Sequence, residues 1–236
     1  MATFVLVHGS YHGGWCWQKV ARLLRQCGHD VYTPTLTGLG ERSHLCTPHV
    51  GLDLHIRDIT QVLEYEDLRE VMLTGHSYGG MVITGVAAAC PQRLACLIYL
   101  DAFVPQDGQS VFDLRPGMQE RWEGLAAREG QGWRVPPPDP ATMGVSNAAD
   151  AAWVQPLLTP MPLATHQQPI RLPSGPARQV LRTYILCRLG GFQAIAQAVQ
   201  AQGWDYYELE TGHDAPITMP DELARVLDTT AGSTRG

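Results

Sequence analysis

Short apolar runs alternate along the chain with stretches whose apolar positions recur every three or four residues. That is the pattern of a mostly parallel sheet covered by helices. Phe4–His8 reads as a buried strand and Trp17–Gln26 as an amphipathic helix. Val31 and Tyr32 form a second short strand, followed by a turn-rich stretch over 34–40. Ile56–Tyr65 is predicted helical, and Glu70–Thr74 is a strand that stops at Gly75. Met81–Ala89 follows as a helix of small residues able to pack closely on a sheet, and Leu94–Leu100 is a strand ending in Asp101. Farther on come a strand at Arg182–Cys187, a helix at Phe192–Ala201 and a strand at Tyr206–Glu210. Pro220–Thr229 closes the pattern as a helix with proline in its first turn, and the tail 231–236 is expected to fray.

Between these halves the pattern changes. Twelve of the 17 prolines lie from Pro105 to Pro176, a density that no central strand tolerates, because proline lacks the N–H that a ladder needs. The same stretch carries Trp122, Trp133 and Trp153 and two helical patterns, Met118–Arg128 and Ala148–Leu158. Residues 106–177 therefore read as a cap inserted into a core made of 1–105 and 178–236, apolar enough to roof a pocket. A flexible linker is the plainer alternative, and the tryptophans weigh against it.

Composition narrows the function classes. The 236 residues carry 17 Lys+Arg against 23 Asp+Glu, a net charge of −6 without basic runs, so phosphate backbones are poor partners. With 44% hydrophobic and 17% charged residues the chain is a folded globule. It has no apolar run of roughly 20 residues to span a bilayer, and no basic leader precedes the first strand. Six cysteines without a C-x-x-C pair suggest reduced thiols and a cytoplasmic protein. A homodimer is left open.

The chemistry concentrates in three places. Gly75-His76-Ser77-Tyr78-Gly79-Gly80 matches G-x-S-x-G between a predicted strand and a predicted helix, the setting in which a tight turn lifts a serine hydroxyl off a sheet. His8-Gly9-Ser10-Tyr11-His12-Gly13-Gly14, directly after the first strand, can offer the Ser10 N–H to a developing oxyanion, with a second N–H from Tyr78. His213 follows the last strand next to Gly212, as a general base would.

Val5–Trp17, Gly75–Gly80, Leu100–Pro105 and Gly212–Leu227 together resemble the α/β-hydrolase superfamily. They are most similar to its branch of plant methylesterases, hydroxynitrile lyases and bacterial small-ester hydrolases, including pyrethroid-hydrolase-like proteins. The resemblance implies a six-stranded α/β core with a helical cap, Ser77 as nucleophile, His213 as base, and an oxyanion hole from the Ser10 and Tyr78 N–H groups. It implies a serine esterase of a small or medium, largely apolar ester, with no organic cofactor and no metal. Tyr11, Phe103, Trp122 and Trp153 are the expected pocket walls.

The sequence departs from that branch twice. The triad acid normally follows the penultimate strand, yet no Asp, Glu or Asn occurs from Arg178 through Trp204. Asp101, at the end of the neighbouring strand, is the best substitute, and holding backbone in place is its competing role. Glu210 and Asp214 flank His213 but are expected to point away from its ring. The lyases carry lysine directly after the catalytic histidine, where this chain has Asp214, which argues against cyanohydrin cleavage. The missing acid also leaves open a ligand-binding protein of this fold, or a cofactor-free lyase or cyclase using His213 as base.

Overall fold

The computed structural model describes residues 1–173 and 180–233. Six strands form one parallel sheet: β1 (Thr3–Val7), β2 (Asp30–Tyr32), β3 (Val71–His76), β4 (Leu94–Leu100), and, after two short strands outside the sheet, β7 (Leu181–Cys187) and β8 (Asp205–Leu209). Their order is β2-β1-β3-β4-β7-β8, every neighbouring pair parallel. β3 is buried along its whole length, as a central strand covered on both faces must be.

Helices α1 (Gln18–Gln26), α2 (Leu52–Tyr65) and α3 (Gly79–Ala89) cover the first half. The apolar stripe of α1, Val20, Ala21 and Leu24, is buried, and the helix packs on the C-terminal one, α10 (Pro220–Ser233). α3 lies close to α2 because it has small residues: a Cβ on Gly85 would stand 2.2 Å from the Ile56 side chain. α2 begins at Leu52, four residues before its predicted start. Its buried positions are Leu52, His55, Ile59 and Leu63, and a buried histidine hides the first turn of that period. α10 runs to Ser233 rather than Thr229, its last turns carrying Thr229, Thr230 and Ser233 hydroxyls bonded to the carbonyls four residues back.

After β4 the chain leaves the sheet. It forms α4 (Val111–Leu114), α5 (Met118–Glu129), a two-strand antiparallel pair of β5 (Arg134–Val135) with β6 (Met161–Pro162), α6 (Ala148–Val154) and α7 (Ala164–Gln167). α4 opens on a reciprocal cap between Ser110 and Asp113. The expected boundary at 177 falls outside the described residues. α8 (Gln193–Ala201) and α9 (Ala215–Thr218) complete the second half. Among the described residues no helix is long and apolar enough to cross a membrane.

Candidate active site

The strand-to-helix turn after β3 is as tight as its glycines imply. Ser77 sits at φ 55°, in the left-handed region that costs a non-glycine residue energy and is kept where the surroundings enforce it. Here they do: the Ser77 N–H donates to the Leu100 carbonyl at 3.1 Å, and the Ser77 carbonyl accepts from Gly80 and Phe103. A Cβ on Gly75 would come within 2.5 Å of the Gly79 carbonyl oxygen, and one on Gly80 within 2.1 Å of that of Phe103. The turn cannot close with larger residues at either place.

His213 lies in the loop after β8 and is oriented by Asp101. Its Nδ1–H donates to Asp101 Oδ2 at 2.6 Å, which leaves Nε2 as the ring's acceptor. The other Asp101 oxygen accepts from the Cys187 N–H at 3.2 Å, and the Asp101 N–H donates to Ile185 at 2.8 Å. One fully buried Asp101 side chain thus contacts both the histidine ring and the backbone of β7. Gly190, in the loop after β7, makes the room: a Cβ there would stand 1.9 Å from Asp101 Oδ2. The ring of His213 is further sandwiched by Phe192, stacked at 5.2 Å, and His76 at 4.6 Å. Glu210 faces Arg188 instead.

The loop after β1 is held from several sides. His8 donates from Nδ1 to the Gly9 carbonyl and accepts the Leu36 N–H on Nε2, a fully paired neutral ring whose burial pushes its pKa down to about 3. The Ser10 hydroxyl meets His166 Nε2 at 3.1 Å. The Thr165 hydroxyl donates to the Pro162 carbonyl, so it accepts from His166 Nδ1–H at 2.8 Å. Burial also keeps His166 neutral, lowering its pKa to about 3, so its Nε2 accepts and the Ser10 O–H donates. The Ser10 hydroxyl proton is therefore committed, and what that residue offers outward is its N–H. Among the described residues neither the Ser10 nor the Tyr78 N–H has a protein acceptor.

A cavity of about 530 Å³ opens over Ser77 and His213, within the size range of small-molecule sites. Tyr11, Phe103 and Trp122 line it as expected, together with His166, Phe192 and Met118. Trp153 does not: its ring packs edge-on against Trp15 at 5.7 Å and under the Lys19 ammonium at 5.1 Å. That correction has a simple cause, since α6 presents Trp153 to the first helical turns of the core rather than to the cavity. The Tyr78 side chain is also absent from the wall. Its ring stacks on His166 at 4.9 Å, and its hydroxyl donates to His55 Nδ1, because His55 Nε2 is spent on the Thr37 carbonyl. Trp122→Leu is accordingly expected to raise KM for an aryl ester by roughly tenfold. Trp153→Leu should leave KM within about twofold, and steady-state kinetics on the two variants checks both.

Among the polar cavity residues to which the sequence reading gave no role are His12, His76 and His166. His12 and His76 sit inside the two glycine motifs, so motif position alone could have flagged them. His166 has no sequence signal, lying 156 residues from the serine it contacts.

Residues 4–226 match the alpha/beta hydrolase family. The chain belongs to that family, as its sheet order and serine turn indicate. It is 41% identical to the carbendazim hydrolyzing esterase of Nocardioides sp. (strain SG-4G), covering 96% of this chain and 98% of that one. The pFDCC methylesterase of Arabidopsis thaliana is 28% identical across 95% of this chain and 92% of its own. An extracellular alpha/beta-hydrolase from a Paenibacillus species superposes with a TM-score of 0.85 at 27% identity, over 98% of this chain and 99% of that one. Within the family the protein sits in the methylesterase-like branch and is an enzyme of the carboxylic ester hydrolase class.

Proposed function

We propose that the protein hydrolyses small or medium, largely apolar esters through an acyl-enzyme on Ser77, with Asp101 as the displaced triad acid. His213 Nε2 takes the hydroxyl proton as Ser77 Oγ attacks the carbonyl, then returns it to the leaving alcohol. A water activated by the same nitrogen releases the acyl group. The Ser10 and Tyr78 N–H groups hold the oxyanion, and residues 106–177 act as the cap whose Trp122 face selects the ester. The observation that carries this reading is the 2.6 Å contact between His213 and Asp101, which supplies the orienting carboxylate that the usual position lacks.

Carbendazim, the compound named for the Nocardioides relative, is the first substrate to try beside simple aryl esters. Cyanohydrin cleavage is disfavoured because the position after His213 offers no net positive charge; Asp214 there is paired with His12. The test is treatment with a serine-directed fluorophosphonate followed by intact-mass and peptide mapping. One label per chain, located on Ser77 and abolishing ester hydrolysis, is expected. A folded protein that stays unlabelled and leaves aryl esters untouched overturns the reading in favour of ligand binding.

A further inference from the structure

His12 and Asp214 lie on the two loops that meet at the reacting centre, and neither has a role in the chemistry described above. Both side chains are 2% exposed, and both line the cavity. His12 Nδ1–H donates to the Ser10 carbonyl at 2.8 Å, since a carbonyl can only accept. The other ring nitrogen, Nε2, faces Asp214 Oδ2 at 3.3 Å. A neutral ring with its proton on Nδ1 would turn a lone pair toward a buried carboxylate. With Asp214 ionised, the contact is attractive only when both ring nitrogens carry protons.

We propose that His12 and Asp214 form a buried ion pair that fastens the oxyanion loop to the loop of the catalytic histidine, making both of them positioning residues. The proposal rests on the ester-hydrolase reading above and deepens it. On one side, Ser10 is gripped twice, through its carbonyl by His12 and through its hydroxyl by His166. On the other, Asp214 follows His213 directly, and its main chain is anchored: its N–H donates to Met143 at 3.0 Å and its carbonyl accepts from Ile217 and Thr218. The His213 carbonyl is held in turn by His76 Nε2–H at 2.9 Å. The ion pair is the side-chain link between these two anchored loops, and it sets the Ser10 N–H against the His213 ring.

The charges agree with this. Burial works against a charged His12, yet the Asp214 carboxylate holds its pKa above the ordinary imidazole value. Burial likewise opposes ionisation of Asp214, while His12, His76 and His213 around it bring its pKa down to about 2. His8 and the Cys16 and Cys187 thiols near the pair are kept neutral by burial. Buried ion pairs are weak sources of stability and serve better as devices that fix one arrangement, which is the use inferred here.

The test is kinetic and uses the intact enzyme. Asp214→Ala is expected to lower kcat on an aryl ester about 10²-fold with KM within about threefold, the cost of small misplacements at a reacting centre. Asp214→Asn can donate its amide to a neutral His12 Nε2, keeping the link without the charge. It should bring kcat back to within about tenfold of wild type. The double variant His12→Phe/Asp214→Leu fills the same space with apolar groups, so it guards against simple unfolding; it should keep its Tm and still lose kcat about 10²-fold. Recovery of kcat together with Tm in that double variant would assign the pair a merely structural role and overturn the proposal. So would an Asp214→Asn enzyme as slow as Asp214→Ala. Fluorophosphonate labelling separates the two levels of inference: wild type that labels at Ser77, with Asp214→Ala labelling equally fast, sinks the positioning role alone. Wild type that never labels sinks the hydrolase reading beneath it.

Discussion

Asp101→Asn should lower kcat/KM by about 10³- to 10⁴-fold while the enzyme stays folded, the loss seen when a triad carboxylate becomes an amide. The substitution is chosen to leave the backbone alone. Asp101 sits at φ 41°, a left-handed conformation that asparagine adopts as readily as aspartate, so no strain is added. The amide oxygen of the variant can still accept the Cys187 N–H that Asp101 Oδ1 now accepts at 3.2 Å. What changes is the group facing His213. An amide nitrogen in place of Oδ2 donates to Nδ1, drives the ring proton to Nε2 and blocks the nitrogen that must accept from Ser77. Circular dichroism and a thermal melt establish folding, and steady-state kinetics reads the effect. A loss smaller than about tenfold in a folded variant would remove Asp101 from the triad.

Gly190→Ala is the second large effect expected, from a methyl group with no chemistry of its own. The new Cβ would stand 1.9 Å from Asp101 Oδ2 and 2.8 Å from Cγ, so one of the two must move. Asp101 is pinned by its own backbone bonds to β7, and the loop by Leu189 N–H on Thr211 and Gly190 N–H on Cys187. The softest coordinate is the carboxylate torsion, which swings Oδ2 away from the imidazole. A loss of about 10²-fold in kcat/KM is expected, with little further loss when Asp101→Asn is added, because both changes break the same contact. Independent, multiplicative losses would show that Gly190 acts by another route. A side chain at residue 190 and the Asp101 carboxylate compete for a single volume.

How much of this was legible beforehand follows the range of the interactions. Strands and helices of the core are set by local apolar periodicity, and both glycine motifs are short-range steric statements, so they read directly from the sequence. Ser77, His213 and the Ser10 loop came with them. Asp101 could be named as a candidate because strand ends gather at one edge of a parallel sheet, but its pairing with a ring 112 residues away could not be read. The same limit hid His12 against Asp214 and His166 against Ser10, where the partners belong to different loops. Trp153 misled for the opposite reason. A tryptophan in a proline-rich segment has apolar surface to hide, and nothing local says whether a cavity or the core's outer wall will hide it.

Gly144 and Gly212 touch backbone to backbone: a Cβ on either would stand 2.6 Å from the other's Cα. One glycine belongs to the proline-rich segment and the other directly precedes His213. The stretch proposed to shape substrate choice is therefore bolted to the stretch proposed to carry the base, and the two cannot be exchanged as independent parts. Grafting that segment from a relative in order to change the ester accepted would have to bring both glycines along, or the new specificity would arrive in an enzyme whose histidine had been pushed off its seat.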